Sequence, residues 1–281
     1  MKHLVLVVAI GVPVFLLLAM FVVGINSQSC QAQAGAASAA RTPVLVELFT
    51  SEGCSDCPPA DRLLETLDKS QPVSGAQVIA ISEHVDYWNR LGWTDPFSSA
   101  FYSQRQSAYG GRFGLSSVYT PQMVVDGATE FVGSDSVRAR SAIAEAAGKP
   151  KVALRLSSPA QANSALTIHI ESDALPGKSA ADIYIVLADN SDTSQVARGE
   201  NSGHTLTHVA VAREFKQVGT LKPGASFAQD VTVNLKSSQI KNERIIVFVQ
   251  ERGSGRVLGS ATERLADVDF QSAAATSAHR R

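Results

Sequence analysis

The sequence predicts an α/β domain followed by an all-β, sandwich-like domain, with the boundary near residue 150. Before that point, apolar β-prone runs alternate with segments of helical spacing, which is the pattern of strand–helix–strand units. After it, seven β-prone runs follow one another, separated by turn residues and without a helical pattern. A hydrophobic content of 44% is typical of a packed globular chain.

The N-terminal residues have the features of an export signal. Lys2 precedes the uncharged stretch 4–25, and Ala32-Gln33-Ala34 has the small-x-small pattern of a cleavage site. We expect a signal peptide over 1–34. The alternative is a retained N-terminal anchor, because residues 4–25 are long enough to span a bilayer. Both interpretations place the folded part outside the cytoplasm, so the protein is expected to be periplasmic or secreted, or membrane-anchored with its domains outside.

The remaining residues divide by composition into four predicted segments. These are a linker over 35–42, the α/β domain over 43–150, the β domain over 151–266 and a mobile tail over 267–281. The formal net charge is −1 and no basic stripe is present, so nucleic acid is excluded as an expected partner.

The most informative motif is Cys54-Ser-Asp-Cys57, between the strand-like run 44–49 and a helical segment expected to start at Pro58. Cleavage of the signal would remove Cys30 and leave these two as the thiols of the mature chain. Two thiols two residues apart at a strand-to-helix turn can close and reopen a small disulfide. In an oxidising compartment the motif indicates either redox chemistry or one local disulfide.

Two later motifs complete the pattern of the first domain. Thr120-Pro121 opens a β-prone run, and Asp126-Gly127 is a strong hairpin signal. In this order, the elements over about 43–148 resemble the thioredoxin fold. That resemblance implies that Pro121 is cis and lies beside the cysteines, and that Thr120 offers backbone hydrogen bonds to an extended substrate. The alternative is that Pro121 only marks the start of an edge strand.

The resemblance also suggests roles for individual side chains. Cys54, as the first cysteine, would be the nucleophile, and Cys57 would resolve the mixed disulfide. Glu47 lies inside an apolar strand, where thioredoxins carry a buried acid that moves protons; alternatively, it points to solvent. The strand order gives a further candidate: His84, like Cys54, follows the carboxyl end of a parallel strand, where functional loops gather. His84 could act as a base or ligand with Asp86 orienting it, or it is simply a satisfied polar residue.

Four longer segments narrow the resemblance to one particular family. Residues 47–54, 84–93, 119–122 and 198–208 resemble an exported, thioredoxin-like family known only as domain of unknown function 1223. This resemblance covers about residues 43–265 and implies fold and location, without a substrate. Within the last segment, His204 and His208 share one face of a strand, which we interpret as a structural or interdomain role because a metal site needs more ligands.

Together these features predict an exported thiol–disulfide oxidoreductase that acts on an extended polypeptide or thiol substrate with a further redox partner and no cofactor. Glu52 and Asp56 place negative charge near Cys54, which opposes its thiolate and favours reduction or isomerisation over strong oxidation. Two alternatives stay open. Cys54, Cys57 and His84 could hold Cu(I) or another soft metal, or the disulfide could be static in a non-catalytic binding protein.

Overall fold

The computed structural model describes residues 41–162, 165–235 and 240–267. The predicted signal peptide or anchor, the linker up to residue 40 and the tail from residue 268 lie outside these residues. Within the described part of the chain, no helix is both long and apolar enough to cross a membrane.

The first half of the chain alternates strands and helices. Its elements are β1 (Thr42–Thr50), α1 (Pro58–Ser70), β2 (Ala76–His84), α2 (Ala100–Phe113), β3 (Gln122–Val125), β4 (Thr129–Val132) and α3 (Ser136–Ala147). Because α1 crosses back over the sheet, β1 and β2 pair in parallel, with Val46 opposite Ala80. The β3–β4 hairpin turns at Asp126 and Gly127, whose φ angles are 47° and 59°, as a primed turn requires.

The second half consists of strands joined by turns and short 3₁₀ segments. These strands are β5 (Leu154–Ala162), β6 (Ala165–Ser172), β7 (Ala181–Gln195), β8 (Thr205–Leu221), β9 (Phe227–Asn234), β10 (Glu243–Glu251) and β11 (Val257–Arg264). β5, β6 and β9 form a three-stranded antiparallel sheet. It packs on the larger sheet through apolar side chains such as Ile168, Ile183 and Val247.

The larger sheet corrects the predicted fold class. It has eight strands in the order β11-β10-β7-β8-β2-β1-β3-β4, and β8 joins β2 in parallel where Ser82 pairs with Val211. A thioredoxin-like α/β domain followed by a separate all-β sandwich-like domain is therefore wrong, because one mixed sheet contains strands from both sides of residue 150. Periodicity identifies strands but not their neighbours, and an exposed β2 edge would be open to association with other chains.

The two faces of β1 enter different cores. Val44, Val46 and Leu48 pack with apolar side chains of α1 and α3. Leu45 packs on the opposite face with Tyr102 of α2. This alternation places the end of β1, and the cysteine motif that follows it, between the helices and the strands of the second half.

Candidate functional site

The cysteine motif forms a closed turn between β1 and α1. Cys54 and Cys57 are joined by a disulfide bond, and α1 begins at Pro58 with Cys57 at the N-cap position. The two cysteines are 1% and 0% exposed, whereas Ser55 and Asp56 between them are exposed. An incoming sulfur atom therefore meets the turn first and reaches the disulfide only after a local displacement.

The loop between β7 and β8 holds this turn from the other half of the chain. The side-chain amide of Asn201 donates to the carbonyl oxygens of Glu52 and Cys54, at 2.8 and 2.9 Å. The carboxylate of Glu200 accepts from the backbone N–H of Ser55 at 3.0 Å. Hydrogen bonds from the Ser55 hydroxyl and backbone lower the pKa of Glu200. Residues about 145 positions away thus fix the conformation of the cysteine turn.

Thr120 and Pro121 lie against the same region. The Thr120–Pro121 peptide bond is cis. A Cβ atom built on Gly133 would lie 3.1 Å from Pro121 Cβ and 3.2 Å from Ala60 Cβ. Pro121 and Ala60 of the first turn of α1 therefore both lie close to Gly133.

Trp88 connects Thr120 with the cysteine turn. Its indole N–H donates to the Thr120 hydroxyl at 2.8 Å. At its other end, a Cβ atom built on Gly53 would lie 3.0 Å from Trp88 Cβ. Gly53 thus allows this close approach, and Trp88 spans the distance from the turn to the predicted substrate-binding residue.

A buried acid–base cluster underlies the turn. Glu52 is fully buried, and its carboxylate accepts from the Trp93 indole at 2.7 Å and from the Ser194 hydroxyl. His208 Nε2 lies 3.3 Å from Glu52 Oε1, and His208 Nδ1 lies 3.7 Å from Asp61 Oδ2. Burial alone would lower the pKa of His208, but the carboxylates of Asp61 and Glu52 outweigh it and raise this pKa to about 10. The imidazole is therefore protonated at neutral pH.

His84 is oriented by a residue other than the predicted one. Its Nδ1 lies 2.7 Å from Asp95 Oδ2, and the same oxygen accepts from the Glu52 backbone N–H. Burial would raise the pKa of Asp95, but His84 and these hydrogen bonds lower it. Asp86 instead accepts from the Ser103 hydroxyl at 2.6 Å. The His84 ring contacts that of His208, with centroids 4.6 Å apart, so both histidines belong to one cluster.

Glu47 belongs to a second buried cluster on the α2 side of the sheet. Its carboxylate accepts from Arg105 at 2.5 Å and from the Tyr109 hydroxyl at 2.7 Å. Glu83 is buried beside them, 3.5 Å from Arg105, and burial raises the pKa of Glu83 well above its usual value. The acid predicted to move protons for Cys57 is thus engaged in an ion pair with α2, and it does not point to solvent.

A groove of about 260 Å³ lies between the first turns of α1 and the start of β8, and its lining includes Pro58, Arg62 and Leu206. A larger cavity of about 400 Å³ lies elsewhere, beside β3 and α3. Among the described residues, no group of three or more His, Cys, Asp or Glu side chains is arranged to hold a metal ion.

A family profile described as "Protein of unknown function (DUF1223)" matches residues 45–250. The chain belongs to the DUF1223 family. This match confirms the family that the sequence segments indicated. No curated protein sequence matches this DUF1223 chain.

Two solved structures are similar to the DUF1223 chain. The crystal structure of protein AGR_C_4864 from Agrobacterium tumefaciens is 25% identical with a TM-score of 0.64, over 82% of this chain and 97% of the other. HBP35 of Porphyromonas gingivalis is 16% identical with a TM-score of 0.55, over 83% of this chain and 78% of the other. The second likeness shows the fold alone.

Sequence reasoning missed the residues that reach the cysteine turn from afar. Asn201 lies in a segment used only for its family resemblance, and His208 and Asp95 were given no part in the cysteine site. A signal for His208 was present, since a histidine inside an apolar strand needs a buried partner. No local pattern indicated that this partner would be Glu52.

Proposed function

We propose that this DUF1223 protein is an exported thiol–disulfide oxidoreductase whose working groups are Cys54 and Cys57. The observation that carries the proposal is their disulfide, closed over two residues at the start of α1. Such a short ring suits switching better than stapling, because the stabilisation that a disulfide gives grows with the length of the loop it closes.

In the proposed exchange, the Cys54 thiolate attacks a substrate disulfide and forms a mixed disulfide, releasing one substrate sulfur as a thiolate. The Cys57 thiolate then attacks Cys54 Sγ, which closes the Cys54–Cys57 bond and releases the second substrate sulfur. The substrate is reduced by two electrons and the cysteine pair is oxidised by two. A redox partner with two thiols restores the pair to the dithiol and is itself oxidised to a disulfide.

Thr120 is proposed to dock an extended substrate chain beside the pair. In support, Pro121 and Ala60 of the first turn of α1 both lie close to Gly133, and the Thr120 side chain is only half-buried. Trp88 holds the Thr120 hydroxyl, which leaves the Thr120 backbone to face an incoming chain.

The charge around the turn supports a reducing or isomerising role over strong oxidation. Glu52, Asp61 and Asp95 are buried close to the turn, and His208 supplies one positive charge among them. A net negative surrounding disfavours the thiolate, and a disfavoured thiolate makes the dithiol a better reductant.

The test is reduction of a disulfide-containing model polypeptide by the wild-type protein and by Cys54→Ser, with dithiothreitol as electron source. The proposal expects catalysed reduction by the wild type, and loss to the uncatalysed rate in the variant. Equal rates for the two proteins would refute it.

One specific observation favours a second candidate, a binding protein with a static disulfide. Both cysteines are almost fully buried, and Asn201 ties their turn to the β7–β8 loop. In this case the wild-type disulfide would stay closed under the same reductant. The soft-metal alternative with Cys54, Cys57 and His84 stays a prediction, and metal analysis of the reduced protein tests it.

A further inference from the structure

His208 of β8 is close to residues on both sides of the cysteine pair. Glu52 is two residues before Cys54, and Asp61 is four residues after Cys57. The His208 ring lies between their carboxylates, 3.3 Å from Glu52 Oε1 and 3.7 Å from Asp61 Oδ2. The ring and both carboxylates are buried.

Asp61 lies on the α1 face that is nearest to Cys57. The Asp61 N–H donates to the Cys57 carbonyl at 3.1 Å, and positions four apart share one face of a helix. Asp61 Oδ1 is buried without a hydrogen-bond partner, and His208 Nδ1 also lacks one. Buried polar atoms are usually paired, so these two keep hydrogen-bonding capacity close to the start of α1.

Opening of the disulfide produces a second state of the site. When a thiolate of the redox partner attacks Cys54 Sγ, a new S–S bond forms to Cys54 and the old bond breaks. The electron pair of the broken bond stays on Cys57 Sγ, which becomes a thiolate. Opening of the disulfide thus adds one negative charge to a buried region that already contains the carboxylates of Glu52, Asp61 and Asp95. A nearby cation therefore has a large effect on the stability of the thiolate.

We propose that His208 is a positioning residue of the Cys54–Cys57 pair, whose imidazolium balances the charge of the thiolate formed when the disulfide opens. This inference rests on the proposed exchange function and adds a group to it from the second half of the chain. It also accounts for the position of His208 on β8, since the pairing of β8 with β2 brings this strand under the cysteine turn.

Titratable and charged side chains face His208 from the neighbouring elements. Glu52 faces it from the turn after β1, Asp61 from α1 and His84 from β2. Asp192 is its partner residue across β7. Phe97 contacts the ring and carries the guanidinium of Arg213 on its face. Carboxylates outnumber cations around the His208 ring, so the imidazolium is its stable form. A substitution that removes the imidazolium leaves these carboxylates without its positive charge.

The test compares reduced wild-type protein with His208→Gln in alkylation by iodoacetamide, measured for Cys54 and Cys57 separately by peptide mass so that Cys30 is distinguished. Loss of the cation is expected to raise the pH of half-maximal alkylation by about one unit, which slows the reaction about tenfold at pH 7. The matched control is His169→Gln, which removes an imidazole that lies between Asp230 and Glu171 on the three-stranded sheet. An unchanged profile in His208→Gln would overturn the inference.

A second measurement uses the wild-type protein and tests the inference even if His208→Gln does not fold. The ring nitrogens of His208 are followed by NMR against pH in the oxidised and the dithiol forms of the wild type. Coupling is reciprocal, so a thiolate that is stabilised by His208 must raise the pH at which His208 loses its proton. Identical titrations in the two forms would contradict the inference. Catalysed disulfide reduction by the same wild-type sample would show that the proposed function survives that failure.

Discussion

Asn201 donates a hydrogen bond from its side-chain amide to the carbonyl oxygen of Cys54 at 2.9 Å, although 147 residues separate the two in sequence. The same amide donates to Glu52 O. One side chain of the β7–β8 loop thus satisfies two buried carbonyl groups of the cysteine turn. The second half of the chain is therefore part of the candidate site.

Asn201→Ala is expected to lower the free energy of unfolding by about 1–3 kcal/mol, because two buried acceptors lose their donor. The freed turn is also expected to be reduced faster by dithiothreitol. Denaturant unfolding and the reduction rate measure the two effects. Ser202→Ala is the matched control, since Ser202 lies in the same loop and its hydroxyl donates to Ala197 O rather than to the cysteine turn. A reduction rate unchanged in Asn201→Ala would show that the loop does not restrain the turn.

Arg105→Ala is expected to lower the free energy of unfolding by about 3–5 kcal/mol, because it leaves the buried carboxylate of Glu47 without its cation. The control is Arg155→Ala. Arg155 pairs with Glu171 and Asp173, but its side chain is exposed and its ion pairs are screened by solvent, so a much smaller loss is expected than for Arg105→Ala. Equal losses in the two variants, measured by denaturant unfolding, would contradict the assignment of Arg105 to a buried ion pair.

The stability of the oxidised protein is expected to fall as pH rises from about 6.5 to 10. His208 has a folded-state pKa of about 10 against an ordinary value of 6.5. A raised pKa stabilises the fold fully below the unfolded value, and this contribution is lost as pH rises through the folded value. The loss is at most about 1.4 kcal/mol per pH unit. Denaturant unfolding of the wild type and of His208→Gln at several pH values gives the difference between their free energies of unfolding. If this difference does not change with pH, the raised pKa of His208 is contradicted.

Local features of the chain were predictable from local chemistry. α1 does start at Pro58 as expected, although Cys57 before it has helical angles (φ −78°, ψ −38°) rather than the extended ones that a following proline favours. The turn at Asp126-Gly127 followed from its preference for positive φ. The β-prone runs after residue 150 do form strands. Each of these features depends on residues within a few positions of one another.

The fold class and most of the site depend on long-range pairing, which is why the sequence did not predict them. Nothing near Ser82 indicates that Val211 continues the sheet. This pairing brings His208 close to Glu52. It also joins strands from the two expected domains in one sheet. Likewise, Asp86 is closer to His84 in sequence, but the chain between β2 and α2 folds back so that Asp95 bonds the imidazole instead.

Trp88→Phe is expected to keep the contact with Gly53 and lose the hydrogen bond to Thr120, lowering the free energy of unfolding by about 0.5–1.5 kcal/mol. If Thr120 docks the substrate, the variant is expected to raise KM for a model polypeptide more than it lowers kcat. Tyr102→Phe, which loses a buried hydroxyl bonded to the carbonyl oxygen of Ala212, is the matched control. An unchanged KM in Trp88→Phe would argue against docking at Thr120.

The most direct test of thiol exchange uses Cys57→Ser, which retains the attacking sulfur and removes the resolving one. The reduced variant is incubated with an oxidised model polypeptide, and peptide mass identifies the linked cysteine; Cys54→Ser is treated in the same way. The account predicts a mixed disulfide on Cys54 in Cys57→Ser that dithiothreitol releases. Absence of this adduct in Cys57→Ser, or an adduct of equal yield on Cys57 in Cys54→Ser, would contradict it.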